Sequence, residues 1–69
     1  MDNVSTEVKR AILTQKLQQY KNTIYDASID VRVAKVLENE QMEKQSVEII
    51  TKMTKATDFI EGELSALEN

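Results

Sequence analysis

Acidic side chains are the main candidates for chemistry in this sequence, which has 12 Asp and Glu residues but neither histidine nor cysteine. Asp26 and Asp30 lie four residues apart, so a helix would place both carboxylates on one face, where they could chelate a divalent cation. The acids between Glu38 and Glu48 lack both the spacing and the central glycine of a calcium-binding loop. We interpret Asp26 and Asp30 as solvated residues near Lys52, and we predict no metal site and no cofactor.

Other catalytic groups are equally scarce. Serine and threonine hydroxyls are present, but no base accompanies them in a recognisable motif. The single glycine, Gly62, excludes a glycine-rich phosphate loop. Two helices would also enclose no sizeable pocket for a substrate. We therefore expect that the chain is not an enzyme.

The spacing of apolar residues predicts a first helix over about residues 5–37. Asp2, Asn3 or Ser5 could each cap its start, because their side chains accept hydrogen bonds from the first helical amides. Apolar or small residues then recur in alternating steps of four and three, which is the heptad seam of one helix packing on another. This seam consists of Leu13, Leu17, Tyr20, Ile24, Ala27, Val31 and Ala34.

A second helix is predicted over about residues 40–67. Its seam consists of Met42, Ser46, Ile49, Met53, Ala56, Ile60, Glu63 and Leu67, with Ile50, Thr57 and Leu64 widening the stripe on one side. The second seam is displaced by one residue from the phase of the first, which favours a break at about residues 38–41. Asn39 suits that break, since asparagine tolerates the left-handed conformation and also caps helices.

These features predict an all-α fold: a single domain, residues 1–69, built as an antiparallel two-helix hairpin. The pairing that fits the two seams sets Tyr20 opposite Ile60 and Val31 opposite Ile49. Two other readings stay open. One is a single continuous helix in a long coiled coil, and the other is a strand over residues 29–36, where apolar and polar residues alternate.

The charge balance argues against nucleic acid, because the net charge is -3 and nucleic-acid-binding domains are usually basic. A local basic concentration on the first helix nevertheless leaves an alternative nucleic-acid-binding face, formed by Lys9, Arg10, Lys16 and Lys21. No apolar run is long enough to span a bilayer, and the N-terminal residues do not resemble a signal peptide. We therefore expect a cytoplasmic protein that does not bind membranes.

A second apolar line on the first helix carries the functional expectation. It consists of Tyr25, Ile29, Val33 and Val36, with Leu37 beside it. Only one helix face can meet the second helix, so the other apolar face would stand in water unless a partner covered it. We expect a homodimer, forming a four-helix bundle, and a non-enzymatic protein–protein interaction module such as an adaptor, regulator or assembly factor. The alternatives are a nucleic-acid-binding hairpin and a structural oligomerisation element of a larger assembly.

Overall fold

Two long helices make up the fold in a computed structural model, which describes residues 4–68. Helix α1 spans Thr6–Val36 and helix α2 spans Glu40–Glu68, and the two pack against each other along their lengths. Leu13 near the start of α1 and Leu67 near the end of α2 line the same cleft, so the helices run antiparallel. The all-α hairpin is thus confirmed. A continuous helix and a strand over 29–36 are both wrong, because the chain turns between the helices and residues 29–36 belong to α1.

Helix α1 begins at a serine cap. The Ser5 Oγ accepts a hydrogen bond from the Val8 amide at 3.2 Å, which satisfies one of the amides that have no partner within the helix. Glu7 lies in the first turn, where the helix dipole favours a negative charge. The other two predicted caps, Asp2 and Asn3, lie outside the described residues.

The turn between the helices is held by backbone hydrogen bonds of the Schellman type. The Asn39 amide donates to the Ala34 carbonyl at 2.9 Å, and the Glu38 amide donates to the Lys35 carbonyl at 3.2 Å. Glu38 takes the left-handed conformation, with φ 55°. Asn39 instead caps α2, because its Oδ1 accepts from the Met42 amide at 3.0 Å. The break falls at the predicted place, with the left-handed residue one position earlier than Asn39.

Replacing Glu38 with glycine should stabilise the hairpin. A left-handed conformation costs a side-chain-bearing residue about 1–2 kcal/mol, whereas glycine adopts it without steric penalty. We expect the free energy of unfolding in urea to rise by about 1 kcal/mol after allowance for the greater chain entropy of glycine. The matched control is Glu40→Gly within α2, which should lower stability. A Glu38→Gly variant no more stable than the parent would contradict this account of the turn.

The contact face of α1 follows the predicted seam. Ala27 and Ala34 are buried, and Ala34 has no exposed surface at all. The other seam residues are half-buried, namely Leu13, Leu17, Tyr20, Ile24 and Val31. Small residues at the two most buried positions let the backbones of the helices approach closely near the turn.

The contact face of α2 differs from the predicted one. Ile49 is 42% exposed and Glu63 is exposed, whereas Thr57 is buried. The positions that face α1 are Ser46, Ile50, Met53, Thr57, Ile60, Leu64 and Leu67, again in steps of four and three. Ile50, Thr57 and Leu64, which were expected only to widen the stripe, therefore belong to the seam, together with the predicted Ser46, Met53, Ile60 and Leu67.

This shift in phase also corrects the pairing of the helices. Ile49 is exposed and so lies off the contact face, which makes the predicted pairing of Val31 with Ile49 wrong. The pairing of Tyr20 with Ile60 joins a half-buried residue to a buried one and stays a prediction.

The core of the hairpin is thin. Among residues 4–68, the buried positions are Ala27, Ala34, Ser46, Thr57 and Ile60, and no large side chain is completely enclosed. Short chains bury a small fraction of their surface, and a partner subunit is one of the usual sources of further stability. Both helices also carry exposed apolar residues outside the contact between them.

Candidate functional site

A line of exposed apolar residues lies on α1, away from α2. Tyr25 is 65% exposed and Val36 is 83% exposed, while Ile29 and Val33 are exposed to about two fifths of their area. On an α-helix, Ile29 lies about 200° around the axis from the buried Ala27. The four predicted interface residues Tyr25, Ile29, Val33 and Val36 therefore share the side of α1 that faces away from α2.

The fifth predicted interface residue, Leu37, lies apart from this group. It is the C-cap of α1 and is 63% exposed beside the turn. Its Cα follows that of Val36 by one residue, so its side chain leaves the helix about 100° further round. Leu37 borders the apolar line without extending it.

Three residues of the apolar line, Tyr25, Ile29 and Val36, belong to a longer periodic stripe along the whole of α1, and Val33 lies beside it. The positions opposite the α2 contact recur in steps of three and four, and all are exposed. We call them the outer stripe: Val8, Ala11, Gln15, Gln18, Asn22, Tyr25, Ile29, Arg32 and Val36. Arg32 is the single charged residue among them. A helix surface in water usually carries many charges, so an almost uncharged outer face indicates a second contact face.

Sequence reasoning found only the C-terminal half of this surface. Val8 and Ile12 are exposed at the N-terminal end of α1, the first on the outer stripe and the second beside it. The four-residue spacing of Val8 and Ile12 could have indicated this N-terminal part of the surface. The glutamines at 15 and 18 interrupt the apolar pattern before the same spacing recurs at Tyr25 and Ile29. On α2, Val47 and Phe59 are also exposed apolar residues that the sequence analysis did not single out.

The outward face of α2 has the opposite character. Its positions opposite the α1 contact are exposed and consist of Lys44, Glu48, Thr51, Lys55, Asp58, Gly62 and Ser65. Charges of both signs recur along this face, and no atom stands within 4 Å of the point where a Cβ on Gly62 would lie. Such a face is typical of a helix exposed to water.

The four residues of the alternative nucleic-acid face do not form one surface. By helical geometry Lys9 and Lys16 lie together, and Arg10 and Lys21 lie together about 100° away, so the two groups flank the contact with α2 on either side. Lys9 is half-buried and lines a cleft with Glu63, whereas the other three are exposed. A carboxylate beside Lys9 and the splitting of the charges both disfavour binding along a phosphate backbone.

A cleft lies at the open end of the hairpin, with a volume of about 510 Å³. Its walls are mostly apolar and include Ile12 and Leu13 from α1 and Ala66 and Leu67 from α2, with Lys9 and Glu63 as its charged residues. A lysine and a carboxylate on an open apolar cleft do not provide a nucleophile with a positioned base.

Two further features of the described part of the chain concern metal ions and membrane spans. Within residues 4–68, no three acidic side chains converge in a way that could hold a metal ion. Asp26 is exposed and Asp30 is half-buried on α1. Neither described helix has a stretch that is long and apolar enough to cross a bilayer.

Comparisons with protein-family models, with curated proteins and with solved structures gave no match to this chain.

Proposed function

We propose that this chain is a non-enzymatic protein–protein interaction module that acts as a homodimer, with two hairpins joined into a four-helix bundle. An adaptor, a regulator or an assembly factor would each have this architecture. The observation that supports the proposal is the exposed apolar line Tyr25, Ile29, Val33 and Val36 on a chain whose own core is thin. Apolar patches of this kind on small proteins usually mark an interface.

The double variant Ile29→Gln, Val33→Gln tests the proposal. Each apolar side chain should contribute about 1 kcal/mol to association, since it is already partly covered in the monomer. Two substitutions in each of two copies should then weaken dimerisation by about 10³-fold. In analytical ultracentrifugation the parent should sediment at about twice 7.9 kDa and the variant at 7.9 kDa at the same concentration.

The control is Val47→Gln, Phe59→Gln, which removes two exposed apolar residues of α2 and should leave the dimer intact. Thermal unfolding of the parent protein, followed by circular dichroism, tests for dimerisation without any substitution. The midpoint of the parent should rise with protein concentration, because association stabilises the folded state by mass action. A parent that sediments as a monomer, or a double variant with an unchanged mass, would overturn the proposal.

A further inference from the structure

We infer that the second copy lies antiparallel on the outer stripe, with α1 against α1 over about residues 4–33 and a two-fold axis near Gln18 and Gln19. This inference rests on the proposed homodimer and specifies its surface and orientation. The two α1 helices would then occupy the inside of the assembly, and the two α2 helices would flank them.

On the outer face of α1, the order of residue types from the N-terminal end resembles the order from the C-terminal end. Apolar residues occupy both of its ends, and amide side chains occupy its centre. Reversing α1 about a point between Gln18 and Gln19 sets three pairs of like residues together, two apolar and one amide, while Ala11 meets Asp26 and Arg32 meets Ser5. The like pairs are Val8 with Ile29, Ile12 with Tyr25, and Gln15 with Asn22.

This approximate symmetry of the sequence is informative because only an antiparallel arrangement of the two α1 helices requires it. In a parallel dimer every residue faces its own copy, so any order of residues matches. In an antiparallel two-fold dimer the surface must be self-complementary when reversed. The order apolar, amide, apolar along α1 satisfies that condition, which supports the antiparallel arrangement.

The central amides fit an interface between two copies. Gln18 Nε2 donates to Asn22 Oδ1 at 2.9 Å along the helix. An amide group carries two N–H donors and a carbonyl acceptor, so each residue keeps capacity for a bond across the interface. Buried amides in helix–helix contacts cost stability but fix the alignment of the helices, since any other alignment leaves them against apolar groups.

The outer face of α1 is long enough for a further helix contact. The hairpin exposes 5416 Å², about 1,000 Å² more than a compact monomer of its mass, because it is elongated. The 31 residues of α1 extend over about 46 Å, which accommodates the roughly 800 Å² per partner of a standard specific interface. The charged outward face of α2 is the poorer surface for that contact, because Lys44, Glu48, Lys55 and Asp58 would lose their hydration.

Thiol cross-linking of Val8→Cys and Ile29→Cys variants tests the orientation, and the chain has no cysteine of its own. The positions are 21 residues apart, or about 31 Å along a helix. Reversed about the axis, each lies opposite the other and far from its own copy. A short bismaleimide should therefore cross-link a mixture of the two variants and leave either variant alone largely unlinked. Mass spectrometry identifies the mixed product, because the two variants differ in mass.

The outcomes separate this inference from the proposed function. Cross-linked mixed dimers without self-linked dimers support the antiparallel contact. Self-linking of both variants means a parallel contact and overturns the inference. Sedimentation as a dimer without any cross-linking places the interface elsewhere, which overturns the inference and leaves the homodimer standing. Sedimentation as a monomer overturns both.

Discussion

Ile60→Ala should remove about 3 kcal/mol from the free energy of unfolding, which is the largest effect we expect from a single truncation. Among residues 4–68, Ile60 is the one large apolar residue that the contact between the helices covers almost completely, with 7% of its surface exposed. The lost methyl and methylene groups leave a cavity that two rigid helices cannot easily close. A domain of this size has about 3–10 kcal/mol of stability in total, so much of the protein should unfold at moderate urea concentrations.

Phe59→Ala is the matched control for Ile60→Ala. Phe59 precedes Ile60 in the same helix and is 65% exposed, so its truncation should cost less than about 1 kcal/mol. Urea unfolding followed by circular dichroism at one protein concentration compares the two variants directly. Equal losses at both positions would mean that α2 does not present Ile60 to α1.

Ala34→Leu should destabilise the hairpin by about 1–3 kcal/mol through overpacking. Ala34 has no exposed surface, and its carbonyl accepts the bond from the Asn39 amide that holds the turn. A larger side chain there has to push the helices apart at the point where a short turn holds them together. The thermal midpoint should fall, while the helical signal of the folded protein stays unchanged.

Ala66→Leu makes the same change where there is room for it. Ala66 is exposed on the wall of the cleft at the open end of the hairpin, so a leucine meets solvent or fills the cleft. We expect a change within about 0.5 kcal/mol. An Ala34→Leu variant as stable as the parent would show that the helices do not approach closely at the turn.

The helices and their break could be predicted because several local signals agree. Heptad spacing defined the seam of α1, and the change of phase near Asn39 located the turn. The identity of the left-handed residue could not be predicted from propensity. Asparagine tolerates that conformation better than glutamate, but the hydrogen bonds of Asn39 to both helices require it at the cap of α2.

The phase of the α2 seam was missed because neighbouring residues compete for each position. The pairs Ile49 and Ile50, then Ala56 and Thr57, each offer two residues of similar suitability. Hydrophobicity favours Ala56 over Thr57, yet Thr57 is the buried one. Its Oγ1 donates to the Met53 carbonyl at 2.7 Å, so the hydroxyl is satisfied within its own helix and costs little to bury.

The proposed interaction surface could be read from the sequence only where its apolar residues are continuous. Tyr25, Ile29 and Val33 form an unbroken line that the spacing reveals, whereas Gln15 and Gln18 hide its relation to Val8. Uncharged amides resemble ordinary surface residues until the structure shows which side of α1 faces away from α2. Glutamine on a helix is therefore ambiguous in a sequence taken alone.

The short turn also sets the order in which the hairpin closes as it folds. A contact between the helices near the turn closes a loop of about 15 residues, while joining Leu13 to Leu67, which line one cleft, closes one of about 54, a difference of about 1 kcal/mol in chain entropy. Contacts close in sequence are the first to repay that entropy. We therefore expect the contacts between the helices to form progressively from Glu38 towards the termini. The contacts beside Ala34 would be the folding nucleus, and those at the cleft would form last.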